Sequence, residues 1–316
     1  MEVRGHVICV GHAAFDSVYR IDAFPVRPTK VRASRHDRSV GGMAANAACA
    51  IAALGGHVRF WGPVGDDETG ERILEELSHA GVVTEAGFVV PGARSSHSAI
   101  IVEEAGERLI VSYRGDALEA PDSLIGDRPL DAEVVMIDVR WPAGATSVAA
   151  RARAQGIPIV LDGEMGNVEL MRALVPLADH VIFSEPGWSE WLGHIPDDSE
   201  TRLELNRLVD TGARLAAVTL GERGVLYTGG GQRTGGTSAG SLSHLPAFTV
   251  TVVETLGAGD AFHGAYALAL AEGQDIDSSV RFAAAAAALR CTRSGGRAAL
   301  PSRDEVLALL ANGRGR

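Results

Sequence analysis

The chain has 316 residues, 46% of them hydrophobic, and a formal net charge of −11. That length supports a sizeable buried core, and the acidic balance excludes a general nucleic-acid binder, which needs a basic face. Three cysteines, Cys9, Cys49 and Cys291, fit neither a disulfide framework nor a zinc pattern, so a reducing cytoplasm is expected.

The first apolar run, Val7–Val10, is too short for a signal peptide or a membrane span. His6-Val7-Ile8-Cys9-Val10-Gly11 reads instead as a buried strand of a parallel sheet. Asp16 lies just beyond it, where open α/β sheets bind ligands, with a turn or cap role as the alternative. Residues 21–40 depart from the acidic average: Arg27, Lys30, Arg32, Arg35 and Arg38 face only Asp22 and Asp37. Such a run is either a solvated loop or a positive rim that draws an anionic substrate into a cleft.

After Gly41-Gly42, small residues predict a helix ending at Gly55, in which Asn46 is the one amide. An amide on a buried Ala-rich face needs a partner, from a neighbouring loop or a ligand. Val58–Gly62 reads as a strand and Glu71–Ala80 as a helix, and the alternation to about residue 90 is that of a parallel sheet wrapped by helices. Ser96–Val102 and Arg108–Tyr113, joined by Glu104-Ala105-Gly106-Glu107, read as a β-hairpin. Together with residues 17–40 it is expected to form a small β lid over the ligand edge.

The rhythm resumes with strands at Val134–Val139, Ile157–Asp162 and Val181–Phe183 and helices near 144–155 and 199–212. A strand and glycine turn follow over Leu215–Gly224, and residues 229–240 are a glycine-rich loop. Helices are expected at 261–272, 276–290 and 302–312, with a frayed tail at 313–316. No repeat or linker divides residues 1–316, which read as a single domain.

The stretch Thr255-Leu256-Gly257-Ala258-Gly259-Asp260 follows a β-like run, Phe248–Val253, and opens a small-residue helix. A strand, two glycines and a helix aim free backbone N–H groups and a positive dipole end at one spot, which suits a phosphate. Asp260 would repel that anion unless it takes a proton from an attacking hydroxyl. The alternative is an ordinary turn in which Asp260 only complements the helix dipole. The ten histidines show no metal spacing, and His263 reads as a packing or surface residue.

Gly41–Gly70 and Val253–Ala265 together resemble the two hallmark regions of the PfkB, or ribokinase-like, carbohydrate kinases. Thr219-Leu220-Gly221-Glu222-Arg223-Gly224 resembles that family's nucleotide loop. The resemblance implies a ribokinase-like three-layer α/β/α sandwich with a mostly parallel central sheet and a small β-sheet lid. It implies ATP-dependent phosphorylation of a primary sugar hydroxyl, with Mg²⁺, in a homodimer joined through the lid. Asp260 would be the catalytic base and the backbone of Gly257, Ala258 and Gly259 the anion hole. Asp16, Gly42 and Asn46 match sugar-binding positions, and Thr219, Gly221 and Gly224 the nucleotide side. No Walker-type phosphate loop is present.

Three positions depart from the family pattern. Glu254 stands where an aspartate linked to monovalent-cation (K⁺) activation is usual, and Leu256 replaces a polar residue. Ser184-Glu185-Pro186-Gly187 replaces Asn-x-x-Glu, which places Ser184 on the nucleotide side and leaves Glu185, with Glu254, as metal candidates. A narrower resemblance, to the sulfofructose kinase branch, runs through Ser95–Ile100, Asp138–Trp141 and Cys291–Ala298. It implies an anionic ketose such as 6-deoxy-6-sulfofructose, with Lys30, Arg140 and Ser112 at the sulfonate. Arg140 reads equally well as a structural ion-pair partner of Asp138 or Asp162. Other substrates open to the same chemistry are fructose, 2-keto-3-deoxygluconate and a nucleoside; a non-catalytic sugar sensor is the reading from another class.

Overall fold

The computed structural model describes residues 5–85, 88–118, 120–229 and 242–313. Strand β1 (His6–Val10) leads to β2 (Ala14–Ile21), β3 (Arg35–Gly41), helix α1 (Met43–Ala53), β4 (His57–Trp61), a short β5 (Val64–Gly65) and α2 (Glu68–His79). Two further short strands, β6 (Val83–Thr84) and β7 (Val89–Val90), precede the hairpin β8 (His97–Glu103) and β9 (Arg108–Tyr113). The βα series returns with β10 (Val134–Ile137), α3 (Pro142–Gln155), β11 (Ile159–Gly163), α4 (Val168–Leu174), β12 (His180–Ser184) and α5 (Glu185–Leu192). It continues through α6 (Asp198–Asp210), β13 (Leu215–Thr219), β14 (Val225–Gly229) and β15 (Ser243–Leu245), and ends in α7 (Ala258–Ala271), α8 (Ile276–Arg290) and α9 (Arg303–Asn312).

Among the described residues nine strands form the main sheet, in the order β15-β14-β13-β12-β11-β10-β1-β4-β6. All its pairings are parallel except β13–β14 and β14–β15. The alternation of side chains along a strand explains the layers. Val7 and Cys9 of β1 enter one core with α1, α7 and α8, whereas Ile8 and Val10 enter a second core with α3 and residues of α4 and α6. Both faces are therefore buried, as near-continuous apolar strands require.

The expected lid is a separate four-stranded sheet, β3-β2-β8-β9. Its inward residues Val18, Ile100 and Val102 form a small cluster of their own, against which Leu256 packs. The apolar residue at 256 thus serves as the seat of the lid.

The β-like run Phe248–Val253 is corrected: among the described residues it joins no ladder, and Val252 and Val253 are 60% and 55% exposed. This segment has to cross from the edge strand β15 back over the sheet to α7, so its β-branched residues span a connection. The N–H groups of Val253 and Glu254 both donate to the Cys291 carbonyl. Helix α2 starts at Glu68, earlier than expected, because the Asp67 carboxylate caps the Gly70 N–H at 2.9 Å. Helices α4 and α5 had no counterpart in the sequence reading. The glycine-rich stretch beyond residue 229 and the tail beyond 313 lie outside the described residues.

Helices α1 and α7 lie close because the residues between them are small: a Cβ added to Gly264 would collide with the Ala47 carbonyl. This contact, next to Asn46 on α1 and one turn from Asp260 on α7, sets the spacing of the two residues. Gly264→Val is expected to cost about 2–3 kcal/mol by overpacking, read as a lower denaturation midpoint, and to reduce whatever activity depends on that spacing.

Candidate active site

Each site residue is placed by an element that ends or begins at the C-terminal edge of the main sheet, where open α/β sheets carry their ligands. Asp138, just past β10, ties this edge together: its carboxylate accepts from the N–H groups of His12 (2.8 Å), Ala44 (3.1 Å) and Arg140 (2.8 Å). A Cβ on Gly11 would occupy the same space. Gly42, with φ of 94°, turns the chain from the lid strand β3 into α1. A side chain there would run into the His12 carbonyl, so the backbone conformation and the space both demand glycine.

Asn46, on the first turns of α1, finds its partner in Asp260: Asn46 Nδ2 donates to Asp260 Oδ2 at 2.7 Å. Two motifs more than two hundred residues apart meet in this bond. Gly257 adopts the left-handed conformation, φ 75°, and starts α7. The Ala258 N–H turns back to the Thr255 carbonyl (3.2 Å), so the donors left open at the turn are chiefly those of Gly257 and Gly259. Burial and the neighbouring Asp162 push the Asp260 carboxyl up to about 7, against the Asn46 hydrogen bond. A carboxylate with that affinity suits a general base near neutral pH.

A cavity opens beside this pair, lined by Asp16, Ser39, Asn46, Gly257, Arg290 and Arg297 among others. Asp16 belongs to the lid strand β2, with Ser39 and Ser98 level with it on the flanking strands. Its carboxyl lies against Gly41, where a Cβ would collide with it, and burial raises it to about 6. The floor from α1 and α7 therefore brings Asn46, bonded to Asp260, and Gly257 to the same space as the Asp16 carboxylate of the lid.

The residues expected on the nucleotide side also lie together. Ser184 and Thr219 are register partners at the ends of β12 and β13. Ser184 caps α5, accepting from the Gly187 N–H (3.0 Å) and donating to Glu164 (2.9 Å). Thr219 Oγ1 donates to the Phe183 carbonyl at 3.3 Å. Gly221 and Gly224 have φ of 58° and 90°, and the backbone of Leu245 leaves no room for a side chain at Gly224.

Several expectations are corrected. Glu254 is no open metal ligand: it is buried and held by Arg20 of the lid and, at 3.6 Å, by Arg290. Glu185 is engaged by Arg223 at 2.5 Å. Lys30 is exposed in the loop between β2 and β3, Ser112 is exposed on β9, and neither they nor Arg140 line the cavity. Arg140 forms no ion pair with Asp138 or Asp162 among the described residues; its guanidinium donates to the Met165 carbonyl at 2.8 Å. His263 is a packing residue, bonded to the Gly259 and Ile182 carbonyls and 3.6 Å from Asp162.

Asp162 and Glu164, at the end of β11, were missed. Burial and then Glu164 hold the Asp162 carboxyl well above the usual range. Two acids closing an apolar strand were the available signal, since a carboxylate at a strand's C-terminal end lies on the ligand edge.

A family model described as pfkB family carbohydrate kinase matches residues 4–303. The chain belongs to this family. This pfkB kinase is 31% identical to the ribokinase of Bacillus subtilis (strain 168), over 96% of this chain and 99% of that one. It is also similar to the structure of Arabidopsis thaliana ribokinase complexed with ribose and ATP, with a TM-score of 0.79, 25% identity and coverage of 98% and 99% of the two chains. Phosphofructokinase-2 from Escherichia coli in complex with potassium shares the fold, with a TM-score of 0.78, 23% identity and coverage of 98% and 99%. The protein is an ATP-dependent sugar kinase.

Asp260→Asn should lower turnover by about 10²–10⁴-fold, the usual worth of a general base, with ATP binding retained in a calorimetric titration. Because the base must be ionised, wild-type kcat/KM should rise with pH through about 7. The raised carboxyl also holds a proton that the unfolded chain gives up, so this group's contribution to stability declines as pH rises from about 4 to about 7. The Asn variant lacks that loss, and its melting temperature should exceed the wild type's at pH 8 and draw level with it near pH 4.

Proposed function

We propose that this kinase transfers the γ-phosphate of ATP to a primary hydroxyl of a small neutral sugar, ribose or a ketose such as fructose. The observation that carries this reading is the Asn46–Asp260 hydrogen bond at the wall of a cavity roofed by Asp16. A polyhydroxylated substrate is matched by paired carboxylate and amide acceptors and donors. The primary hydroxyl lies against Asp260, which takes its proton as it attacks; the open amides of Gly257 and Gly259 hold the phosphoryl oxygens as charge builds there. The lid excludes water, drawn to the turn by Leu256 and by Arg108, which donates to Thr255 Oγ1 at 2.9 Å.

The donor set suits Mg²⁺, which keeps waters and takes phosphate oxygens instead of a closed protein cage. Among the described residues no three acids, histidines or cysteines form such a cage. Glu164, beside Ser184 and near enough to Asp162 and Asp260 to raise both carboxyls, is the residue that would hold the ion or its water. When bound, the ion would supply charge neutralisation for the phosphate oxygens.

An anionic ketose is the second reading, resting on Lys30, Arg140 and Ser112. The cations that do line the cavity, Arg290 and Arg297, are each paired, with Glu254 and Glu76, which favours a neutral sugar. The intact base argues for an enzyme over a sugar sensor. We also place the kinase in the cytoplasm as a single domain; no described helix is long and apolar enough to cross a membrane. Its outer lid face exposes Tyr19, Leu109 and Val111, which supports a homodimer joined there.

ADP release with ribose, fructose, 2-keto-3-deoxygluconate, a nucleoside and a sulfonated ketose tests the substrate. The neutral sugars should give the highest kcat/KM, and Lys30→Ala should leave their KM within about twofold; preference for the sulfonated ketose, with loss in the Lys30 variant, would replace the neutral reading. In sedimentation the wild type should run as a dimer and Val111→Asp as a monomer.

A further inference from the structure

One buried charge takes no part in the mechanism so far. Arg290, the last residue of α8, is 3% exposed. Its Nη1 donates to the Arg293 carbonyl at 3.0 Å, and its Nη2 lies 3.6 Å from Glu254 Oε1. Its Nε lies 3.7 Å from the place a Cβ would take on Gly257, so the guanidinium sits beside that turn, on the wall of the same cavity. The other Glu254 oxygen is held by Arg20 Nη2 from the lid. Two guanidinium groups, one buried and one partly exposed, thus share one carboxylate, and the trio carries a net positive charge.

A monovalent cation bound at this point would need bare oxygens. Both carboxylate oxygens of Glu254 and the Arg293 carbonyl are already taken by guanidinium N–H groups. The residues present therefore do not fit K⁺ at Glu254. An unpaired buried charge is costly, so Glu254 holds Arg290 in place as firmly as Arg290 holds Glu254. The backbone adds to the tie, since the Val253 and Glu254 N–H groups both donate to the Cys291 carbonyl next to Arg290.

We propose that Arg290 is a tethered cation that fixes the Gly257–Gly259 turn and supplies its background positive charge, so that the kinase works without any monovalent ion. A covalently attached charge does this at any salt composition, whereas an exchangeable ion must first be bound. The proposal rests on reading that turn as the phosphoryl-transfer site, and Arg290 acts through the turn as a positioning residue.

The test compares ADP release and thermal melting in potassium, sodium and tetramethylammonium chloride at constant ionic strength. Wild-type turnover should stay within about twofold across the three salts. Arg290→Ala should lose about tenfold to a hundredfold in kcat in tetramethylammonium and regain much of it with potassium or millimolar guanidinium; Arg290→Lys should remain salt-independent. Activation of the wild type by more than about tenfold in potassium overturns the proposal. So does a folded Arg290→Ala variant that no cation restores, or one whose defect is only a raised sugar KM. Should the wild type turn over no sugar at all, the kinase mechanism fails separately, and the melts still decide: potassium or guanidinium must raise the midpoint of Arg290→Ala and leave the wild type unmoved, and equal responses overturn the proposal.

Discussion

The hydrogen bond from Asn46 to Asp260 is the constraint around which the rest is arranged. It closes the distance between the first turns of α1 and α7, and it can form only because small residues let those helices touch. The bond orients the carboxylate and stabilises its ionised form, whereas burial and Asp162 oppose ionisation. The balance leaves a carboxyl that titrates near neutrality, as a general base would require.

The lid depends on the same constraint from above. Asp16 on β2 faces the cavity that Asn46 lines from below, and Arg20 on the same strand reaches Glu254. Leu256 fills the apolar underside of the lid and sits one residue before the turn that starts α7. Cavity, lid and the Gly257 turn are therefore mechanically one unit, with the Glu254 ion pairs as its electrostatic fastening. A residue exchanged at 254 is felt in the lid through Arg20 and in the α8 terminus through Arg290.

Much of this was legible beforehand. The alternating βα rhythm, the hairpin over 96–113 and the small-residue helices after Gly42 and Gly259 each carry a local signature, and each appears in place. Pairings between distant segments carry none. Asn46 visibly required a partner, yet nothing local said that it was Asp260. Glu254 read as a metal candidate because it stands where the family pattern has a cation-linked aspartate, and only the packing of α8 and β2 reveals two arginines on it. Phe248–Val253 had strand chemistry but lay where the chain must cross the sheet, with no edge to join.

The residues by themselves thus determined the layer architecture and the lid, because periodicity and glycine turns are properties of neighbours along the chain, and the family resemblance of their motifs pointed to the 219–224 loop and to Asp260 as the residues to look at. Tertiary structure alone decided how strongly Asp260 holds its proton, which charges face the cavity and which are neutralised. Those quantities follow from desolvation and from partners dozens to hundreds of residues away, and they exist only once the helices and strands have closed on one another.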